Sequence, residues 1–466
     1  MVLSRIWSAF IIIAIAVASV KYFSSENYSQ IFNDMVVGKG GDTIRISQKP
    51  LAYFSPQIQR SLQTTPEIEE SHIHYKVDSL QNVSTYRVAA TDGVIGTSET
   101  AVNICLKLIG IMALFMGFMS IAEKAGGINF LSRMIQPFFS KLFPDIPKNH
   151  PSFGHMMLNF SANLLGLDNA ATPFGLKAME SLQTLNPDKD RASNAQIMFL
   201  CLHASGLTLI PVSIIAIRSS MGSVTPTDIF LPCMIATFCA TLAAMTIVSI
   251  RQKINLFQPV VLAYVGGISV IIALLVIYLV QLSKDELDSF SKVMSNGIIL
   301  LIFLAIVLGA VYKKINVFDA FIDGAKEGFN VCVKIIPYLV GMLIAISLLR
   351  TSGVFEVIID GMKWLASASH LDTRFVDGLP TALIKPLSGS GARGMMVDTM
   401  KTFGADSFAG KLSAILQGSS DTTFYVIAVY FGSVGIKNTR YTVGSMLLAD
   451  LVGVTVSVIL AYLFFG

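Results

Sequence analysis

Residues 103–126, NICLKLIGIMALFMGFMSIAEKAG, and residues 330–353, NVCVKIIPYLVGMLIAISLLRTSG, align without a gap and share Asn, Cys, Lys, Ile, Ser and the closing Gly at the same places. Two apolar stretches matched at polar positions as well point to an internal duplication. The likeness continues downstream. Leu167-Asp168-Asn169-Ala170-Ala171-Thr172 falls opposite Leu387-Ser388-Gly389-Ser390-Gly391-Ala392, and Leu202-His203-Ala204-Ser205-Gly206-Leu207-Thr208 falls opposite Leu416-Gln417-Gly418-Ser419-Ser420-Asp421-Thr422. A period of about 220 residues is far longer than a solenoid repeat, so each copy reads as a domain-sized bundle. Paired bundles related by a pseudo-twofold axis are an architecture of membrane carriers.

Composition places the chain in a bilayer. Its 466 residues are 53% hydrophobic and 14% charged, and the mean hydropathy is +0.65, too apolar for an ordinary soluble protein. Segments near the ~20 apolar residues that cross a membrane are 6–22, 103–122, 196–217, 227–249, 257–282, 293–312, 331–349, 414–435 and 441–465. The expected fold is therefore an all-α membrane protein with about nine spanning helices. A net charge of +4, spread among acids, offers no groove for nucleic acid. Cys105, Cys201, Cys233, Cys239 and Cys332 all lie in apolar runs, where cysteine serves as a small packing residue. Arg5 before an apolar run resembles a signal peptide, but span 293–312 precedes the second copy as 6–22 precedes the first. The opening helix is thus expected to be a retained member of the bundle.

Short basic loops at Arg251-Gln252-Lys253 and Lys313-Lys314, with Arg5, assign these points and the N-terminus to the cytoplasm. Residues 23–102 are then extracytoplasmic. Four crossings and one linker helix at 257–282 would start the second half on the opposite side, making the repeats inverted. Residues 350–411 are rich in Lys and Arg yet fall outside by this parity, which suits a segment that dips into the membrane. The boundaries expected are 1–250 for the first repeat, 251–289 for the linker helix and 290–466 for the second repeat. The first copy carries about sixty extra polar residues at roughly 30–90; Thr64-Thr65-Pro66-Glu67 and the acids after it read as turns and solvated surface, a lid or partner-contact module. His72 and His74, without a companion Cys, make a poor metal site, and no metal or cofactor is expected.

The polar residues that carry chemistry lie where each copy interrupts its apolar pattern. NFSANLLGLDNAATPFG holds Asn159, Asn163, Asp168, Asn169 and Thr172, and LPTALIKPLSGSGARG holds Lys385, Ser388, Ser390 and Arg393. Both are too short and too broken to span, and Gly/Pro-interrupted segments in corresponding halves point to a transport site. They read as re-entrant hairpins. A helix starting at such a break aims unpaired N–H groups at the pocket; with Lys385 and Arg393 it would favour an anionic or oxygen-rich ligand. Asp168 and Asp421 would attract a coupling cation, a ligand amine or a hydroxyl, and an Asp–Arg pair locking the hairpins is the structural alternative. A second set follows: His203, Ser205 and Thr208 in one copy, and Gln417, Ser419, Ser420, Asp421 and Thr422 in the other. Helical spacing would put Ser205 with Thr208, and Gln417 with Asp421, on one face, although interhelical hydrogen bonding also explains small hydroxyl residues in such helices. Gly389-Ser390-Gly391-Ala392-Arg393-Gly394 matches GxGxxG but follows no strand of a βαβ unit. No phosphate loop, HExxH or Cys-x-x-Cys occurs, and no GxSxG elbow supports Ser388 or Ser390 as a nucleophile.

The stretches NLLGLDNAATPFGLKAMESLQ, LPTALIKPLSGSGARGMMVDTMKTFGADSF and LQGSSDTTFYVIAVYFGSVGIKNTRY closely resemble the bacterial spore maturation proteins SpmA (the first) and SpmB (the other two), here joined in one chain. The resemblance covers roughly 90–250 with the opening helix, and 290–466. Both families carry the nucleoside recognition or Gate domain, similar to parts of concentrative nucleoside transporters and of the ferrous-iron transporter FeoB. The resemblance implies two Gate-type repeats, a membrane location and, in spore formers, a role in dehydrating the spore core. The insertion and the linker helix depart from that pattern and suit a double-membraned bacterium.

The expectation is a non-enzymatic inner-membrane permease moving a small polar solute, nucleoside-like, ionic or other, by an ion gradient. Its partners would be the lipid bilayer, the solute, a coupling ion and a second copy or an envelope protein. The alternatives are a non-transporting scaffold for envelope assembly that docks through 30–90, and an intramembrane enzyme.

Overall fold

The computed structural model describes residues 2–24, 28–51, 58–59, 62, 67–70, 73–77, 82–91, 93–147, 150–164, 168–282, 284–369 and 371–466. Helix α1 (Val2–Ser24) is followed by a short α2 (Ile31–Val36) and then by the insertion. The insertion is a sheet rather than turns alone: β1 (Lys39–Pro50), β2 (Glu67–Glu70), β3 (Ile73–Val77) and β4 (Asn82–Thr91) pair antiparallel in the order β1-β4-β3-β2. The acidic run after Pro66 is strand β2, with Glu69 opposite His74. Thr64 to Pro66 and His72 lie outside the described residues. The sheet enters and leaves the bundle at one point, because a Cβ added to Gly93 would stand 2.4 Å from the Gly38 nitrogen.

The helical part repeats element for element. The first copy comprises α3 (Gly93–Lys124), α4 (Gly127–Leu142), α5 (Pro151–Leu164), α6 (Asp168–Leu185), α7 (Asn194–Ala204), α8 (Val212–Ser220) and α9 (Phe230–Gln252). Linker helix α10 (Pro259–Val280) and then α11 (Lys284–Tyr312) follow. The second copy comprises α12 (Val317–Thr351), α13 (Val354–Ala368), a 3-10 turn (Arg374–Gly378) running into α14 (Leu379–Ile384), α15 (Gly389–Phe403), α16 (Phe408–Gly418), α17 (Thr423–Ser433) and α18 (Thr442–Phe465). Local chemistry recurs with the elements. Gly126 and Gly353 both take the left-handed backbone, at φ +83° and +77°, that bends the chain between the first two helices of each copy, a conformation glycine adopts at no steric cost. Ser193 and Ser407 both cap the helix after the hairpin, accepting from Gln196 and Gly410 backbone N–H groups.

Seven helices among the described residues are long and apolar enough to cross a membrane: α1, α3, α9, α10, α11, α12 and α18. The chain is an all-α membrane protein carrying one small four-stranded sheet. Spans 196–217 and 414–435 are not continuous helices; each is two short helices separated by non-helical backbone at 205–211 and 419–422. Gly206 at φ +66° and Pro211 end the first, and Ser-Ser-Asp-Thr ends the second.

The largest packing face joins α3 to α12, which run antiparallel. Gly324 lies against Met116, and Gly328 against Met112, so closely that a Cβ at Gly324 would stand 2.2 Å from the Met116 carbonyl oxygen. Glycines four apart let two membrane helices touch backbone to backbone. One apolar core runs through both copies, including Leu108, Met112 and Met116 from α3, Leu343 and Ile346 from α12, and Leu412 and Ile415 from α16. The linker helix α10 buries little, with Val270, Ile271 and Leu274 exposed at 57%, 67% and 62%, which suits contact with lipid. All five cysteines are unbridged and four are buried, as packing residues.

Candidate functional site

The two helix breaks cross at the centre of the bundle. The Asp421 amide donates to the Ala204 carbonyl at 2.7 Å, and Gly206 sits so near that a Cβ there would lie 3.2 Å from the Asp421 nitrogen and 3.3 Å from the Ser420 carbonyl carbon. Each break is also tied to its own hairpin. Leu209 N–H donates to Leu164 at the end of α5, and Phe424 N–H donates to Pro386 between α14 and α15, both at 2.9 Å. Interrupting a helix orphans backbone groups that are costly away from water, and here they are paired to the hairpins and across the copies.

On the first-copy side, His203 ends α7 and is 5% exposed. Its Nδ1 lies 3.0 Å from Asn159 Oδ1 and 2.8 Å from the Asn163 amide, both on α5. Asn159 in turn donates from Nδ2 to the Ala171 carbonyl at 2.6 Å. The other ring nitrogen, Nε2, is 3.8 Å from Asp421 Oδ2, a carboxylate that is 47% exposed. The Tyr430 ring on α17 meets the His203 ring edge-on at 4.8 Å, and Gly175 on α6 leaves it room. A cavity of about 140 Å³ adjoins Asn163 and His203; Phe138, Phe160 and Tyr264 make much of its wall.

On the second-copy side, buried Lys385 at the end of α14 donates to the Gln417 carbonyl at 2.7 Å. Gln417 is also buried and its Oε1 has no hydrogen-bond partner among the described residues, while its Nε2 reaches Gly389 at 3.5 Å. Thr422 packs on Gly389, 2.6 Å from where a Cβ would be. Thr423 donates to Asp450 Oδ2 at 2.5 Å, placing a buried α18 carboxylate beside the break.

The sequence-derived candidates separate into three groups. His203, Lys385, Gln417, Ser420, Asp421 and Thr422 surround the crossing, with Asn163 and Thr172 on the neighbouring hairpin, Thr172 lying beside Tyr430. Ser205, Thr208, Ser388, Ser390 and Ser419 are spent locally. Ser205 and Ser419, equivalent in the two copies, fold back onto the Leu202 and Leu416 carbonyls; Ser205 also meets Thr241 at 2.9 Å, and Thr208 donates to Gly206. Ser388 caps α15 by accepting from Gly391 N–H and lies 3.2 Å from Ser390. Arg393 lies instead toward Cys105 on α3. The Asp168 and Asn169 side chains lie outside the described residues, although both residues begin helix α6. The one-face reading of Ser205 with Thr208 and Gln417 with Asp421 does not hold, because the helices end at Ala204 and Gly418 and leave Thr208 and Asp421 in extended breaks. A lock between charged residues forms between α12 and α15: Arg350 grips Asp398 with Nε donating at 2.8 Å to Oδ2 and Nη2 at 2.5 Å.

Asp450 escaped the sequence reading of the site, although an acid inside an apolar span is itself a functional signal. Tyr430 escaped it because an aromatic in an apolar run carries no such mark.

This arrangement, a duplicated helical bundle with broken helices crossing at polar residues, is that of a membrane protein with two nucleoside recognition domains, and the model of that family matches residues 105–221 and again 332–437. The chain belongs to the spore maturation protein family. It is 44% identical to spore maturation protein B of Bacillus subtilis (strain 168) over 173 residues, 37% of this chain and 96% of that protein. It is 43% identical to spore maturation protein A of the same organism over 156 residues, 34% of this chain and 80% of that protein. The two likenesses make this chain a fusion of an A-like and a B-like half. No solved structure gives a significant match.

Proposed function

We propose that the chain is a multi-pass plasma-membrane carrier that moves a small polar solute through the seam where its two copies meet. The observation that carries this reading is the contact between the breaks, Asp421 N–H to Ala204 C=O, beside a half-exposed carboxylate and a buried His and Lys. Non-helical backbone at membrane depth belongs where protein buries it or a wet cavity meets it, and here protein buries Ala204 and Ser420 on the two sides of the crossing.

Three features support inverted copies related by an axis in the membrane plane. Helices α3 and α12 run antiparallel. Residues equivalent by sequence face each other at Cys105 and Cys332 and at Gly206 and Ser420, as they must near a twofold axis. The α8–α9 loop of the first copy meets the α15–α16 loop of the second through Ser223, Val224 and Asp406, while the equivalent pair, the α17–α18 and α6–α7 loops, meets at the other end of the broken helices through Asn438 and Ala192. On this reading α5–α6 and α14–α15 are re-entrant hairpins, the N-terminus is cytoplasmic and the sheet stands outside. Lys385 and the amino end of α15 suit an oxygen-rich or anionic solute group, and Asp421 with Asp450 suits a coupling cation. We read the protein as a carrier rather than an enzyme: Ser388 is engaged in capping α15 and Ser390 lies against the Ser388 hydroxyl.

The test is flux through the purified full chain in proteoliposomes, using a panel of radiolabelled polar solutes that begins with nucleosides. Wild type should accumulate one class, and Asp421→Ala and Asp168→Ala should each lower that flux at least about tenfold, the worth of one charge-assisted contact. Equal flux in all three would remove the proposed site. No flux of any solute would favour the scaffold reading.

A further inference from the structure

We propose that His203 and Asp421 form a proton-operated latch between the two broken helices, closed when Nε2 of His203 binds a proton and released when it gives that proton up. This rests on the carrier reading and names its coupled ion as the proton.

The argument starts from Asn159. A backbone carbonyl only accepts hydrogen bonds, so the contact to Ala171 requires the Asn159 NH2 group to point that way, which turns Oδ1 toward His203 Nδ1 at 3.0 Å. An amide oxygen at that distance needs an N–H, so Nδ1 carries the hydrogen, which in turn requires the Asn163 amide, whose Nδ2 stands 2.8 Å from Nδ1, to turn its oxygen to the ring. The tautomer is thereby set. Nε2 is left as the nitrogen that gains and loses a proton, and it faces Asp421 Oδ2 at 3.8 Å. That distance is too long for a hydrogen bond and short enough for an ion pair. With Nε2 unprotonated, a lone pair confronts a carboxylate and nothing draws them together. With Nε2 protonated, a movement of about 1 Å closes a charge-assisted bond of ~2.8 Å.

The mechanical link is already made. Asp421 is held through its amide to Ala204, the residue after His203, so the same two residues join the copies through backbone and side chain together. The proton has a route, since His203 is buried while Asp421 is half exposed. Other titratable and charged groups around the pair, among the described residues, are few. Tyr430 on α17 meets the ring, Cys201 is on the same helix α7, Asp450 on α18 acts on Asp421 from behind the break, and Lys385 on α14 points its ammonium at the Gln417 carbonyl. The polar side chains that α5 and α9 bring to the ring or its neighbouring cavity, Asn159, Asn163 and Thr241, are neutral, and Tyr264 of α10 lines the same cavity.

The experiment uses the full chain in nanodiscs with nitrogen-labelled histidine, His203 being assigned by the signal lost in His203→Gln. Between about pH 8 and pH 5 the ring should pass from the Nδ1–H neutral form to the doubly protonated form. Asp421→Asn should lower the midpoint by at least about one pH unit, as loss of a carboxylate within ~4–6 Å does. Hydrogen exchange at amides 205–209 and 420–424 should be at least about tenfold faster above the midpoint than below it, after correction for intrinsic rates, and Asp421→Asn should abolish that difference. An Nε2–H neutral tautomer, a midpoint unmoved in Asp421→Asn, or exchange that ignores the midpoint would each overturn the latch. If Asp421→Asn fails to fold, the wild-type titration and its exchange profile still decide the matter. Exchange that follows pH in a protein moving no solute would remove the carrier reading and keep the latch; solute flux with a pH-indifferent break would do the reverse.

Discussion

Arg218, with no exposed surface, shows how single residues hold the copies together. From α8 its Nη2 reaches Asp228 and Asp406, both at 2.9 Å, and its Nη1 donates to the Ala405 carbonyl at 2.6 Å. Lys411 completes the group on Asp228 at 2.9 Å. Removing one member of a buried ion network strands the others, at a cost of about 3–5 kcal/mol, so Arg218→Ala should lower the thermal midpoint in detergent sharply. The same network makes an acid prediction. Burial by itself would push the Asp406 carboxyl up, but the Ser223 hydroxyl, the Val224 amide, Arg218 and Lys411 outweigh it and hold the group below its usual range. A depressed carboxylate contributes stability that is full above its unfolded value of ~3.9 and is lost as pH falls through the folded value. Wild type should therefore lose stability below about pH 4, and Asp406→Asn should show a flatter acid limb in pH-dependent melting. Little of this was legible in the sequence, because Asp406 is 188 residues from Arg218 and a lone Arg after an apolar run also reads as an interfacial anchor. His203, Lys385, Gln417 and Asp421 were legible for the opposite reason: each interrupts an otherwise apolar pattern at an equivalent place in the two copies.

Helices divide the same way. The hairpins could be read from Pro, Gly and polar residues clustered in short segments, and the long helices from unbroken apolar runs. The broken helices could not, since Ser205–Pro211 is mostly apolar by composition and Ser419–Thr422 is short, so the flanking turns supply enough hydropathy for a continuous span. What ends α7 is backbone geometry at Gly206, and what ends α16 is a row of side chains that compete for their own backbone, such as Asp421 accepting from Thr422 N–H at 2.7 Å. Close helix contact is the other element-scale device. Gly324→Val on α12 places carbon where the Met116 carbonyl stands, an overpacking worth on the order of 1–3 kcal/mol. Gly309→Ala on α11 meets nothing within 4 Å and should be neutral or stabilising by ~0.5–1 kcal/mol. Thermal melts of the two variants beside wild type check this, and equal losses would show that helix propensity rather than contact governs both sites.

For the whole molecule, the insertion is a module plugged in at one place. Its ends meet at Gly38 and Gly93, and a segment with adjacent ends can be removed without moving what it leaves. Replacing residues 39–92 by a short glycine link should leave the melting of the helical part and its solute flux unchanged in proteoliposomes; loss of flux with folding intact would make the sheet part of the transport path. The sequence marked this region only as polar, since alternation of polar with polar residues conceals a strand.

The Ala204–Asp421 hydrogen bond also bears on biosynthesis. A ribosome makes position 421 only after 217 further residues have followed position 204, on the order of ten to forty seconds at ordinary elongation rates. Throughout that interval the Ala204 carbonyl lacks the partner it has in the folded chain, and with the break at membrane depth, as the proposed carrier has it, water or the insertion machinery must answer that carbonyl until position 421 arrives.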